Sequence, residues 1–232
     1  MTLQYRKEID GLRAVAVLSV VLFHAGTWGF SGGYIGVDIF FVISGYLITS
    51  IILEDKKKNQ FSIINFYERR ARRILPALTV VLLFTTIVAY LVMPADSLAS
   101  YSKSLVSVVS FSSNIYFYLT SGYFSPASDE NPLLHTWSLA VEEQYYFFFP
   151  LMIALFWSFG KKILISSIVV TASISLFCAQ LLASNHFVDA NFYLIFSRAW
   201  ELLFGSVIAF MPSSKLDISR WKRELASTVG AV

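Results

Sequence analysis

An arginine and a histidine lie eleven residues apart in the first apolar segment, LRAVAVLSVVLFHAGTW, with Arg13 near its start and His24 well inside it. On an α-helix this spacing makes roughly three turns, so both side chains would point the same way, about 16 Å apart along the axis. Ionisable groups inside a membrane are costly and mark functional sites. We predict that His24 lies near mid-depth and acts as a general base. Arg13, at the membrane edge, either binds a phosphate or carboxylate or only reaches lipid phosphates.

Two adjacent acids, Glu142 and Glu143, lie in the apolar segment LLHTWSLAVEEQYYFFFP. At the depth of His24, one of these carboxylates could orient the imidazole and stabilise its protonated form. The alternative is an ion pair with Arg198, which also lies in an apolar segment. His135 stands just before the segment, and its residue type leaves open whether it belongs to a site or to the surface.

Other polar residues carry weaker signals. Asp38 is a further acid near the start of an apolar segment, and Ser44–Gly45 in that segment indicates close helix packing rather than a nucleophile. In NFYERRARRILP, Arg69 and Arg72 fall near one helix face together with Arg73. This basic stretch either anchors the chain to anionic lipid or docks a polyphosphate ligand.

The composition is that of a membrane protein: 56% of the residues are hydrophobic and 14% are charged, against about 25% charged in soluble domains. Several apolar stretches reach the ~20 residues that a spanning helix needs. The single cysteine, Cys178, has no partner for a disulfide or a metal site, so we expect a small apolar residue there and no bound metal. We predict an all-α integral membrane protein with six spans, at about 12–29, 34–53, 75–94, 138–158, 163–183 and 192–211.

The basic residues predict the orientation of these spans. Lys and Arg precede span one, fill the loops between spans two and three and between spans four and five, and follow span six. The positive-inside rule then places the N-terminus and every basic loop in the cytoplasm. This requires 95–137 to cross the membrane an even number of times, although it contains an apolar stretch rich in serine. We therefore predict a re-entrant or surface segment on the outer side, between helices three and four, that would cover a cavity.

Five strings occurring in order along the chain resemble the acyltransferase-3 family of membrane O-acyltransferases. They are EIDGLRAVAVLSVVLFH, GGYIGVDIFFVISGYLIT, FYERRARRILP, HTWSLAVEEQYYFFFP and SRAWELLFG. The resemblance implies transfer of an acyl group, usually acetyl, from cytoplasmic acetyl-CoA to a hydroxyl of an extracytoplasmic glycan. Lipopolysaccharide O-antigen, exopolysaccharide and peptidoglycan are the acceptors that it suggests.

The resemblance also assigns roles to residues. It implies that His24 is catalytic, together with Glu142 or Glu143, and that Arg13, Arg69 and Arg72 bind the acyl donor. Asp38, His135, Arg198 and Glu201 are expected as supporting residues. We expect no bound cofactor, with acetyl-CoA entering as the donor substrate.

The family also implies a setting. We expect a bacterial cytoplasmic (inner) membrane protein that contacts lipids, acetyl-CoA and a glycan acceptor that could be lipid-linked, and no nucleic acid. Members usually have ten membrane helices and often a C-terminal SGNH-type domain, so residues 1–232 are expected to be the N-terminal part of a longer membrane domain. The alternative function is a proton-coupled transporter of a glycan or small acid. It is disfavoured because no internal repeat is evident.

Overall fold

The computed structural model describes residues 7–120 and 131–211, and within these ranges the chain is helical and has no β-strand. Apart from a short 3₁₀ turn at Gly33–Ile35, the helices are as follows. They are α1 (Lys7–His24), α2 (Gly36–Lys57), α3 (Ile63–Val92), α4 (Ala95–Val109), α5 (Ser113–Thr120), α6 (Thr136–Trp157), α7 (Lys161–Ser184), α8 (Val188–Tyr193) and α9 (Ile195–Ala209). The all-α membrane class predicted from the sequence is confirmed.

Five helical segments in the described part are long and apolar enough to cross a membrane. They are Gly33–Lys57, Ile63–Val92, Thr136–Trp157, Lys161–Ser184 and Val188–Ala209. The predicted first span, 12–29, is not among them and its bounds were wrong. Helix α1 starts at Lys7, which brings charged residues into its first turns, and it ends at His24. The helix does not continue past this point, because Gly26 and Gly29 take positive φ values of 65° and 88°. Glycine adopts this conformation without a steric cost.

Helix α3 also starts earlier than predicted, at Ile63 rather than near residue 75. The Ser62 side chain caps it by accepting a hydrogen bond from the Asn65 backbone N–H at 3.4 Å. The arginine cluster therefore lies inside a regular helix, where each side chain points in a fixed direction.

The two ends of the helix bundle differ in charge. Lys56 Nζ lies 5.4 Å from the centroid of the Trp157 ring, and Lys161 Nζ lies 6.0 Å from that of Phe210. These contacts bring together the last turns of α2, α6 and α9 and the first turn of α7. We call this the basic end, and the end where α6 begins the opposite end.

Helices α2 and α9 touch backbone to backbone. A Cβ atom on Gly45 would overlap the Leu202 backbone, and one on Gly205 would overlap the backbone of Val42. Small residues permit this approach in membrane proteins, where close packing of side chains and backbone replaces the hydrophobic effect as the source of helix association. The predicted packing role is thus confirmed for Gly45.

We expect Gly45→Ala to destabilise the protein by about 1–3 kcal/mol, because overpacking a tight contact forces the backbone apart. The apparent melting temperature in detergent measures this. Gly11→Ala is the matched control, since nothing lies within 4 Å of a Cβ placed there. Equal melting temperatures for the two variants would show that α2 and α9 are not in backbone contact.

Residues 95–120 form a helical hairpin that does not reach the basic end. Helix α4 leads to a turn at Phe111, whose φ is 52°, and the Gln144 side-chain amide donates to the Phe111 carbonyl at 3.0 Å. Gln144 is eight residues into α6, so the turn lies about 12 Å beyond the start of that helix. Helix α5 then returns, and Asn114 donates to the Tyr193 carbonyl at 3.1 Å, in α8. The described part of the segment therefore has the re-entrant path that the sequence predicted, while 121–130 lies outside the described residues.

Candidate active site

A cluster of charged and hydroxyl side chains lies inside the bundle around Glu142. The Glu142 carboxylate is buried, with Ser44 and Tyr146 beside it and with Arg13 and Arg70 close enough to act on its charge. Glu143 interacts with Glu142 and Arg70 in turn. The inner cluster is thus built from four helices, α1, α2, α3 and α6, and consists of Arg13, Ser44, Arg70, Glu142, Glu143 and Tyr146.

Arg13 lies between helices rather than at an edge. Its guanidinium carbon is 5.0 Å from the centroid of the Phe40 ring in α2, and its buried Nε has no hydrogen-bond partner among the described residues. The neighbouring turn of α1 packs on the start of α2, since a Cβ on Gly36 would overlap the Ala16 backbone. The predicted membrane-edge position was therefore wrong: Arg13 faces Glu142 inside the bundle.

His24 lies at the opposite end of the bundle instead of at mid-depth. It is the last residue of α1, and its ring centroid is 4.6 Å from that of His135, which directly precedes α6. The Nδ1 atom of His24 is 2.8 Å from the Val20 carbonyl oxygen. Glu142 is seven residues further along α6, about 10 Å from His135. The prediction that Glu142 or Glu143 orients the His24 imidazole was thus wrong, because Val20 and His135 occupy that position.

The shared direction predicted for Arg13 and His24 agrees with these contacts. His24 meets His135 just before α6, and Arg13 acts on Glu142 in the second turn of α6. Both side chains therefore face the same neighbouring helix.

Arg198 forms a second buried charge cluster, separate from Glu142. Its guanidinium contacts Asp38 at 2.5 Å and Glu201 at 2.8 Å, and its carbon lies 5.6–5.9 Å from the ring centroids of Phe41, Trp137 and Phe192. The alternative in which Arg198 pairs with Glu142 or Glu143 was therefore wrong. Among the supporting residues proposed from the sequence, Asp38, Arg198 and Glu201 meet in this cluster, and His135 meets His24.

The arginines of the basic stretch point in different directions. Arg69 pairs with Asp55 at 2.5 Å, and Arg72 pairs with Glu68 at 2.8 Å; both arginines are exposed. Arg70 is half-buried, and its guanidinium carbon lies 5.9 Å from the centroid of the Tyr146 ring. Sequence reasoning missed Arg70, although the Arg-x-x-Arg spacing is met by Arg70 and Arg73 as well as by Arg69 and Arg72. Arg70 could have been identified because the apolar Phe66, four residues earlier, lies on the same face of the helix. Phe66 is 1% exposed, so this face points into the bundle.

Sequence reasoning also missed Ser44 and Tyr146 as neighbours of Glu142. Tyr146 is four residues after Glu142, one helical turn away on the same face. That spacing could have identified the tyrosine. No pattern in the sequence indicates that the α2 serine meets α6.

A cavity of about 380 Å³ lies between α3 and α6, beside the inner cluster. Arg70, Glu143 and Tyr146 form its polar wall, and Ser110 and Phe111 of the re-entrant turn contribute to its lining. Tyr67 ties the two helices together by donating to the Phe147 carbonyl at 2.7 Å. The cavity therefore joins charged groups to an otherwise aromatic and aliphatic surface.

Comparison with known proteins identifies the family of this chain. Residues 6–225 match the family described as "Acyltransferase domain", the acyltransferase-3 family. The chain belongs to this family. A search of solved structures gives no match.

Relatives of this chain include two bacterial proteins with assigned names. The chain is 34% identical to the O-acetyltransferase OatA of Staphylococcus aureus over 94% of its own length and 37% of that protein. It is also 34% identical to the "Putative peptidoglycan O-acetyltransferase YrhL" of Bacillus subtilis, over 98% of the chain and 37% of that protein. An uncharacterized protein of Haemophilus influenzae is 38% identical, over 79% of the chain and 78% of its own length. The chain therefore spans little more than a third of the length of these two named proteins.

Proposed function

We propose that this chain is part of a membrane O-acetyltransferase that takes acetyl from acetyl-CoA at the basic end and passes it to a glycan hydroxyl at the opposite end. The polarity of the bundle carries the proposal. Arginines stand at the basic end and along the cavity, and two histidines in ring contact stand at the opposite end. Membership of the acyltransferase-3 family and the names of the two relatives support the same chemistry.

The donor side has the charges that a nucleotide phosphate needs. In the described part of the chain, Arg69 and Arg72 are held by exposed ion pairs with Asp55 and Glu68, and such pairs contribute about 0–1 kcal/mol. A phosphate that forms bidentate, charge-assisted hydrogen bonds can therefore displace the carboxylates. Arg70, one position along the helix from Arg69, lines the cavity.

The acceptor side has a base with a defined tautomer. A carbonyl oxygen only accepts hydrogen bonds, so the contact with Val20 places the proton of a neutral His24 on Nδ1. The Nε2 atom then carries the lone pair that can take the proton of a sugar hydroxyl as the hydroxyl attacks the thioester carbonyl. His135, in contact with the ring, can share the charge that His24 acquires.

The proposed setting is the bacterial cytoplasmic membrane, with the basic end in the cytoplasm according to the positive-inside rule. The acceptor would be an extracytoplasmic glycan such as peptidoglycan, O-antigen or exopolysaccharide. Peptidoglycan has added support from the name of the Bacillus subtilis relative, a putative peptidoglycan O-acetyltransferase.

Proteoliposomes that contain the full-length chain test the function. Acetyl-CoA is supplied on the side of the basic end and a soluble glycan fragment on the other, and release of free thiol is measured together with formation of glycan acetyl ester. We expect both products to form in a 1:1 ratio. Movement of the glycan without thiol release would instead support the transporter, and thiol release without ester would contradict the acceptor assignment.

We expect Arg69→Ala combined with Arg72→Ala to raise the KM for acetyl-CoA about 10- to 100-fold, with kcat nearly unchanged. Two charge-assisted hydrogen bonds are lost, each contributing about 1.5–3 kcal/mol before competition from Asp55 and Glu68. Lys58→Ala, which breaks another exposed ion pair at the same end, is the control and should leave KM unchanged. If the double variant keeps the wild-type KM, the basic stretch is a lipid anchor only.

A further inference from the structure

The connection between α1 and α2 exposes three aromatic side chains at the opposite end of the bundle. Its sequence, AGTWGFSGGYI, covers residues 25–35, directly after His24 and before the start of α2. Trp28 is 96% exposed, Tyr34 is 54% exposed and Phe30 is 38% exposed. Exposed apolar patches of this kind mark sites of interaction. We call residues 25–35 the aromatic loop.

The aromatic loop has a fixed position on α1. A Cβ atom on Gly33 would overlap the backbone carbonyl of Ser19, so the loop packs directly against that helix. At its start, the Thr27 N–H donates to the Leu22 carbonyl at 3.0 Å, and the Phe30 N–H donates to the Thr27 carbonyl at 3.2 Å. The backbone that carries the exposed rings is therefore held in place by packing and hydrogen bonds.

Ring contacts connect the aromatic loop to His24. The centroid of the Phe23 ring is 5.1 Å from that of His24 and 5.7 Å from that of Tyr34. The rings of Tyr34 and His24 are therefore no more than about 11 Å apart, centroid to centroid. Two linked sugar rings span a distance of this order. A glycan that presents a hydroxyl to His24 can thus also reach Tyr34.

Exposed tyrosine and tryptophan side chains suit the surface of a sugar. A pyranose carries its hydroxyls around the rim and C–H groups on its faces, and the face of an aromatic ring is partly negative and packs against polarised C–H groups. The tyrosine hydroxyl and the indole N–H can also form hydrogen bonds with sugar hydroxyls. Both side chains have only two χ angles, so they lose little conformational entropy when a ligand covers them.

The charge of the aromatic loop favours a sugar over a lipid. Trp and Tyr also occur where a membrane meets water, and the residues that anchor a helix there include Lys and Arg as well. Residues 25–35 contain no charged side chain, so nothing in the aromatic loop attracts a lipid phosphate. A neutral sugar needs no such charge. An anchor in lipid also does not require a fixed distance to His24, whereas the positioning of an acceptor does.

We propose that Trp28 and Tyr34 bind the acceptor glycan by stacking on the faces of its sugar rings, and so hold a hydroxyl at His24. The proposal rests on the proposed function, in which the acceptor meets His24 at the opposite end. Neither ring takes part in the transfer of a proton or of acetyl. They therefore determine the affinity for the acceptor and leave the acyl donor unaffected.

Trp28→Leu combined with Tyr34→Leu tests the proposal, because leucine keeps an apolar side chain for lipid and removes the flat ring. Trp28→Phe combined with Tyr34→Phe keeps a ring at both positions. Phe187→Leu is the matched control, since Phe187 is an exposed aromatic residue at the same end of the bundle, in the turn between α7 and α8. All variants are made in the full-length chain. The KM values for acetyl-CoA and for a soluble glycan fragment are measured in proteoliposomes.

We expect the double leucine variant to raise the KM for the glycan fragment about 5- to 100-fold, from the loss of two aromatic contacts. The kcat and the KM for acetyl-CoA should stay close to the wild-type values, as expected when binding is lost equally from ground state and transition state. The double phenylalanine variant should keep a glycan KM within about threefold of the wild type. Phe187→Leu should leave both KM values unchanged.

Four results would overturn the proposal. A wild-type glycan KM in the double leucine variant would exclude stacking, and an equal rise in Phe187→Leu would indicate a general effect at the membrane surface. An equal rise in the double phenylalanine variant would show that the ring faces are not what binds. A fall in the melting temperature of the double leucine variant would show that protein covers the rings. In each case the wild type still transfers acetyl and the proposed function stands, whereas a wild type without transfer would overturn both.

Discussion

Replacing His24 by alanine is expected to abolish acetyl transfer, with a fall in kcat of about 10²–10⁴-fold, the usual contribution of a general base. The fold should persist, because His24 is exposed at the end of α1 and its ring contacts Phe23 and His135 rather than the core. Mass spectrometry of glycan O-acetyl groups measures the effect. The cells carry the full-length chain, wild type or variant, at matched membrane expression.

His186 is the matched control for that experiment. It lies in the turn between α7 and α8 with φ of 62°, so asparagine, which tolerates this conformation, is the appropriate replacement. His186→Asn should retain wild-type acetylation. Glycan that remains fully acetylated in the His24→Ala cells would exclude His24 as the base and would redirect attention to transport.

Arg198→Met is expected to be the most destabilising of the substitutions considered, at about 3–5 kcal/mol, the cost of removing one partner from a buried ion pair. The side chain of Glu201 is 1% exposed, so its charge cannot turn to solvent when Arg198 is lost. The Asp38 side chain is 36% exposed, so solvent can partly stabilise its charge after the arginine is lost. The apparent melting temperature of the purified protein in detergent reports the loss.

A second substitution separates charge from packing in this cluster. Adding Glu201→Gln to Arg198→Met removes the stranded charge and should recover part of the lost stability. Arg72→Ala, which breaks an exposed pair whose arginine side chain is 77% exposed, should change stability by no more than about 1 kcal/mol. If the double variant is no more stable than Arg198→Met alone, the arginine contributes through its contacts with aromatic rings.

The helices could be predicted from the sequence because a membrane leaves the backbone few alternatives. An apolar run must satisfy its own hydrogen bonds, so it becomes a helix whatever its neighbours are. The ends were less predictable: the helical turn before Leu12 is polar, and a capping serine extends α3 beyond its apolar run. Both features depend on local hydrogen bonds that hydropathy does not measure.

The candidate site was predictable by residue type but not by partner. His24, Arg13 and Glu142 were identified as polar groups in apolar segments, yet two expected contacts, Glu142 with His24 and Glu142 with Arg198, are absent from the described structure. Which side chains meet depends on which helices are neighbours and on how far one helix is shifted along the other. The contact of Gly45 with Leu202 sets this shift for α2 and α9. The sequence does not reveal the shift, so Asp38 could not be matched to Arg198, which lies 160 residues away in the chain.

The direct contact of α2 and α9 determines which part of the bundle can move. Two helices that meet without intervening side chains have no layer that can slide or repack, so they act as a fixed frame. Helix α3 differs, because only 6% of the residues in its most apolar stretch are buried against protein. The corresponding stretch of Gly33–Lys57 is 44% buried. It is held to α6 across the cavity by the Tyr67 hydroxyl. A substrate that enters between α3 and α6 would therefore displace α3 rather than the α2–α9 pair, and it would have to break the hydrogen bond between Tyr67 and Phe147.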